Sequence, residues 1–241
     1  MRRSLRRTVA GRVIHRFCGT NGRMDTFEWS QTAGERATSI MFVYGGLKTT
    51  IIRTRSLLKS RLDEADVNYT AWLVRNLVEL RVWVDYCSVS DENALEFHED
   101  SVRDLIELDR KVRGMDDETK VELHKAKAML QTPKPDHQFK SVSEAATEVG
   151  LSDFFKQNNK TLSKFAHPTA LSVMSNLSVK ARQTICSGMV ESGLVIADEA
   201  LAKLEGGRLA EAYQKYLPAL KRTILEHPEV GAAYVDLLNL P

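Results

Sequence analysis

The chain of 241 residues and 27.1 kDa is 43% hydrophobic and 27% charged, with a formal net charge of +2. This balance describes an ordinary soluble globular protein and excludes little by itself. Seven arginines (Arg2, Arg3, Arg6, Arg7, Arg12, Arg16 and Arg23) precede the first acid, Asp25, so residues 1–24 carry +7 while the other 27 bases face 32 acids. A basic arm thus precedes a mildly acidic body, and the body is not a general binder of polyanions.

Residues 1–24 are expected to be a disordered basic leader, with Met24 as an alternative start; a phosphate-contacting arm and a targeting segment are the other readings of so Arg-rich a stretch. Residues 25–241 are expected to form one domain. Cys18, Cys87 and Cys186 are odd in number and lack C-x-x-C spacing, which fits a reducing compartment and argues against structural zinc. The longest apolar run, 37–47, falls short of the roughly 20 residues that span a bilayer, so a cytoplasmic location is expected.

From Thr26 onward, apolar residues recur at three- and four-residue intervals, the signature of helices and not of strands. An all-α bundle of about eight or nine helices follows. The first helix is predicted from about Ser30 to Leu62, with Gly45-Gly46 marking a kink or a close crossing. A second, from about Asn68 to Val89, is apolar nearly all round, as a central helix should be. Ser90 or Asp91 caps a third through about Val112, with Leu95, His98, Val102, Leu105 and Ile106 inward. A charged helix reaches about Leu130, and Thr132-Pro133-Lys134-Pro135-Asp136 sets a soft internal boundary near 131–140.

Ser141 to Val149 reads as a short helix ended by Gly150, and Leu151 to Phe165 as another that stops at His167-Pro168, because proline disfavours helical geometry at the residue before it. A long helix from about Val179 to Leu204 is broken by Gly206-Gly207. The tail, Leu209 to Ile224 and Val230 to Leu238, resembles a lone tetratricopeptide unit, which reads as ordinary helix packing because such repeats need about three units to bury a core. All six prolines are expected at boundaries.

The second helix carries the most informative chemistry. At 100° per residue, with Arg75 at zero, Tyr86 lies at about 20°, Glu79 at about 40°, Trp72 at about 60° and Trp83 at about 80°. An ion pair therefore shares a stripe with three aromatics, and Arg81 with Asp85 forms a second i,i+4 pair elsewhere on the helix. If the stripe faces inward, Arg75 and Glu79 must be partnered, since a buried lone charge is prohibitively costly. They are then either a structural lock or a small anion clamp in which Glu79 fixes the guanidinium.

Ser163 and His167 are four residues apart and share one helix face. No G-x-S-x-G elbow accompanies them, so acyl transfer is not indicated, whereas an imidazole beside a cation suffices for phosphodiester cleavage. His98 is expected in the core, and His15, His124, His137 and His227 in arm, exposed-helix or loop settings. No metal-ligand spacing, P-loop or G-x-G-x-x-G occurs, so no metal and no cofactor are expected.

The combination of Arg75-Asn76-Leu77-Val78-Glu79-Leu80, Glu144-Ala145-Ala146-Thr147-Glu148-Val149-Gly150-Leu151 and Leu162-Ser163-Lys164-Phe165-Ala166-His167-Pro168-Thr169 resembles a family of uncharacterised bacterial helical proteins. Its features are an R-x-x-x-E helix followed later by L-S-x-x-x-H-P-T, and the likeness covers roughly residues 33–174. That family is distantly similar to the HEPN superfamily, which includes dimeric, metal-independent ribonucleases of toxin and phage-defence systems with an R-x(4-6)-H motif. The resemblance implies an HEPN-like core with extra C-terminal helices, a bacterial source and a homodimer. Here Leu80, Arg81 and Val82 stand where that motif has its histidine, so His167 has to come from another helix.

The expected site therefore gathers Arg75, Glu79, Ser163 and His167 beside Trp72, Trp83 and Tyr86. The expected function is a non-enzymatic binding or regulatory module, stress- or defence-related, for a small anionic or nucleotide-like ligand. The alternatives are a metal-independent ribonuclease acting on RNA through His167 and Arg75, and a purely structural helical scaffold.

Overall fold

The structure, a computed structural model, describes residues 31–60, 66–111, 140–167 and 176–226. These form seven helices, and no strand occurs among the described residues: α1 (Gln31–Lys59), α2 (Val67–Val89), α3 (Asp91–Lys111), α4 (Val142–Glu148), α5 (Ser152–Ala166), α6 (Val179–Glu205) and α7 (Arg208–Glu226). The leader at 1–24, the charged helix to Leu130, most of the boundary at 131–140, Pro168-Thr169 and the tail at 230–238 lie outside the described residues. So do Cys18, four of the histidines and the side chains of Val102, Leu105 and Ile106.

Local chemistry sets the helix ends. Asp66 accepts a hydrogen bond from the Tyr69 amide (3.1 Å) at the start of α2. Ser90, in extended conformation, ends α2 and accepts from the Asn93 amide (3.1 Å) as α3 begins. Ser141 and Glu144 form a reciprocal capping box on α4. Ser178 accepts from the Ala181 amide (3.2 Å) on α6. Gly150 leaves α4 at φ 73°, a left-handed conformation that glycine adopts without a Cβ clash. One proline departs from the boundary pattern, because Pro218 lies inside α7.

α2 is the hub and packs against all six other helices. Its buried side chains, among them Leu73, Val74, Leu77, Val78, Val82 and Val84, cover most of its circumference and leave a partly exposed stripe at Trp72, Arg75 and Glu79. α1 adds Ile40, Met41, Ile51 and Leu58; α6 adds Val190, Ile196 and Leu204; Tyr44 of α1 stacks on Tyr213 of α7 at 4.7 Å. α1 runs unbroken through Gly45-Gly46, and Gly46 faces open space. A tight crossing lies at Gly193 of α6, where an added Cβ would meet Leu58 and Val74.

Cys87 and Cys186 are fully buried, and burial pushes both thiols above their ordinary pKa. His98 stacks on Phe42 (6.0 Å), and burial lowers its pKa against the opposing influence of Glu99. No helix among the described residues is long and apolar enough to cross a membrane, and no group of three metal-ligating side chains occurs among them.

Candidate anion-binding site

α5 packs against α2, and its end brings His167 alongside the first half of α2. Arg75 Nε donates to Glu79 Oε1 at 3.1 Å, the pairing that i,i+4 spacing allows. Arg75 Nη1 donates to His167 Nε2. Arginine offers only donors, so Nε2 is the acceptor in this contact. The guanidinium is thus held on two edges by two helices, and Nη2 has no hydrogen-bond partner among the described residues. The Arg75 and Glu79 side chains are 25% and 29% exposed, half-buried and not sealed in the core.

His167 owes its position to the end of α5. Its backbone is extended (φ −109°, ψ 155°), while its amide still donates to the Ser163 carbonyl at 3.3 Å. The imidazole therefore leaves the helix axis and reaches Arg75. Ser163 does not join it, because its hydroxyl donates to Asn159 Oδ1 at 3.1 Å on the same helix.

The three aromatics divide. Trp72 is 45% exposed and stacks on Tyr69 at 5.8 Å, one turn before Arg75. Trp83 packs against Phe97 of α3 (4.8 Å) and edge-on to Tyr86 (5.8 Å). Tyr86 is buried and eleven residues from Arg75, about 16 Å along the axis, so it belongs to a different place.

That second place is a polar knot at the last turn of α2. The Tyr86 hydroxyl donates to Glu96 Oε2 (2.5 Å) and accepts from Lys140 Nζ (2.8 Å), which also donates to Glu148 Oε2 (2.7 Å). Asn93 Nδ2 donates to the Tyr86 carbonyl and to Glu148, each at 3.1 Å. Burial and then the Glu96 hydrogen bond push the Tyr86 pKa up to about 12, although Lys140 opposes them. Burial opposes the charge on Lys140, but Glu148 and Tyr86 outweigh it and hold the ammonium above its ordinary value. Lys140, Glu96, Asn93 and Glu148 were not linked to Tyr86 by the sequence, because all four lie beyond the end of α2 at Val89.

The Arg81–Asp85 pair (2.6 Å) faces α6, where Arg81 also meets Glu199 (2.8 Å) and Lys203 approaches Asp85 (3.7 Å). Arg81 meets a carboxylate through each of Nε and Nη1, which makes it a tie between α2 and α6. Both arginines leave Nη2 without a hydrogen-bond partner among the described residues, but Arg75 faces one carboxylate and an imidazole where Arg81 faces two carboxylates, so Arg75 keeps more of its charge for a small anion.

No protein-family model, no curated protein and no solved structure matches the chain.

Proposed function

We propose that the chain is a non-enzymatic helical binding or regulatory module, of a stress- or defence-related kind, that holds a small anionic or nucleotide-like ligand on Arg75. The observation that carries this reading is the guanidinium held by Glu79 and His167 with Nη2 left over. Two fixed edges reduce the rotamer entropy a ligand has to overcome, and a planar fork suits carboxylate and phosphate oxygens. The bundle is read as an HEPN-like core with added C-terminal helices, eight or nine helices in the whole chain, acting as a homodimer in the bacterial cytoplasm.

Thermal melting in inorganic phosphate tests it. Phosphate that binds the folded state raises the melting temperature with concentration. Arg75→Gln should lose that rise, and an equal rise in both proteins would refute the reading.

A second reading, metal-independent cleavage of RNA, is favoured by the direct contact of Arg75 with His167, which puts a cation and an acid/base group within reach of one phosphate. Incubation of the purified protein with RNA and a chelator decides it, since intact RNA would remove the enzyme.

A further inference from the structure

We infer that the site takes a nucleobase–phosphate unit, the base lying on Trp72 and the phosphate on the Nη2 edge of Arg75. This rests on Arg75 as an anion clamp and adds what the rest of the ligand must be. Trp72, 45% exposed, has the largest side chain among the exposed hydrophobics of the described residues, and its ring plane is set by the stack with Tyr69 (5.8 Å, 19° between planes). Trp72 and Arg75 are three residues apart on one helix, so they are surface neighbours at about 5–6 Å between Cβ atoms. A ribose separates base from phosphate by a comparable reach, so one nucleotide can engage both side chains.

Three observations narrow the class. A bare oxyanion uses Arg75 and leaves the indole idle. A flat apolar ligand without charge uses Trp72 and leaves the guanidinium edge idle. A body with 32 acids against 27 bases, and Glu79 beside the site, confine the contact to one phosphate at a time, whether free or within a strand. A single base with its phosphate satisfies all three. The two sources of that unit are a free mononucleotide and one nucleotide of a single strand.

The test is equilibrium titration of the full chain with AMP, adenosine, inorganic phosphate and a short oligoadenylate. AMP should bind at least tenfold more tightly than phosphate. Trp72→Leu, which keeps apolar cover at an exposed position, should weaken AMP by about 5- to 100-fold and leave phosphate unchanged, while Trp72→Phe should retain part of the gain. Arg75→Gln should weaken both ligands. Equal binding of AMP and phosphate, with AMP indifferent to Trp72→Leu, overturns the nucleotide and spares the anion clamp. Phosphate binding that is absent or indifferent to Arg75→Gln overturns both. Oligoadenylate binding more tightly than AMP identifies a single strand as the source, and the reverse order identifies the free nucleotide; either supports the shared unit.

Discussion

Gly193 of α6 lies so close to Leu58 of α1 that a Cβ on the glycine would stand 2.5 Å from the leucine Cδ2; Val74 Cγ2 of α2 would be at 2.9 Å. Leu58 and Val74 are both buried, and the branched valine has little room to turn. Gly193→Ala should therefore cost about 1–3 kcal/mol in overpacking, offset by about 1 kcal/mol of helix propensity. Gly188 on the same helix has nothing within 4 Å, so Gly188→Ala should gain about 0.5–1 kcal/mol. Parallel thermal melts check the pair, with opposite shifts of a few degrees expected.

Tyr86→Phe removes the hydroxyl that links Glu96 to Lys140. The two charged partners already approach to 3.7 Å and can pair directly, which places the loss at about 1–2 kcal/mol, near the lower end for a hydrogen bond to a charged group. Urea unfolding should show a lower midpoint with an unchanged slope.

The same tyrosine governs behaviour at high pH. Its folded pKa of about 12 exceeds the ordinary 10, so between these values the unfolded chain releases a proton that the folded chain keeps. That stability is fully present below pH 10 and is lost as pH rises through 12, and Lys140, also raised, acts in the same direction. The gap between wild type and Tyr86→Phe should therefore narrow from pH 9 to pH 11.5. A constant gap would show that the phenol is not shielded.

On the acid side, Lys140 and then Asn93 hold Glu148 below its ordinary range, although burial works against them. Its contribution is present above about pH 4.5 and is lost as pH falls through the lowered value. Glu148→Gln should make the acid limb of the stability curve shallower, which denaturant titrations between pH 6 and pH 3 would detect.

Glu79 and His167 act on Arg75 in different ways. Glu79→Gln keeps an acceptor for Nε and removes a competing charge, so phosphate should bind about 2- to 5-fold more tightly. His167→Ala removes an exposed side chain at a helix end and should shift stability by less than about 1 kcal/mol while weakening phosphate. If RNA is cleaved, the same variant should abolish cleavage at an unchanged melting temperature.

Helix ends were legible where a short-range rule applied: Ser90, Ser141, Gly150 and the His167-Pro168 step each act within four residues, whereas the caps at Asp66 and Ser178 were not singled out. The Arg75–Glu79 pair was legible for the same reason. The grouping of Trp83 and Tyr86 with Arg75 failed to appear because angular position around a helix discards distance along it; residues at one angle can lie three turns apart. The knot at Tyr86 was not legible, since Lys140 reaches it across 54 positions and only tertiary packing brings them together. Gly45-Gly46 drew attention as a pair, yet they do not break α1 and Gly46 faces open space, whereas Gly193 in α6 marks a close crossing, because contact depends on what faces the missing side chain.

The central place of α2 has a consequence for how the molecule comes apart. Helices preceding residue 112 and helices following residue 139 both build their apolar contacts on this one segment, and Lys140 ties into its last turn. Neither portion retains a closed core without the other. Polypeptides ending at Lys111 and beginning at Lys140 should accordingly be unfolded when separate and recover helical signal on mixing, and the slowest-exchanging amides of the intact chain should cluster between Leu73 and Val84.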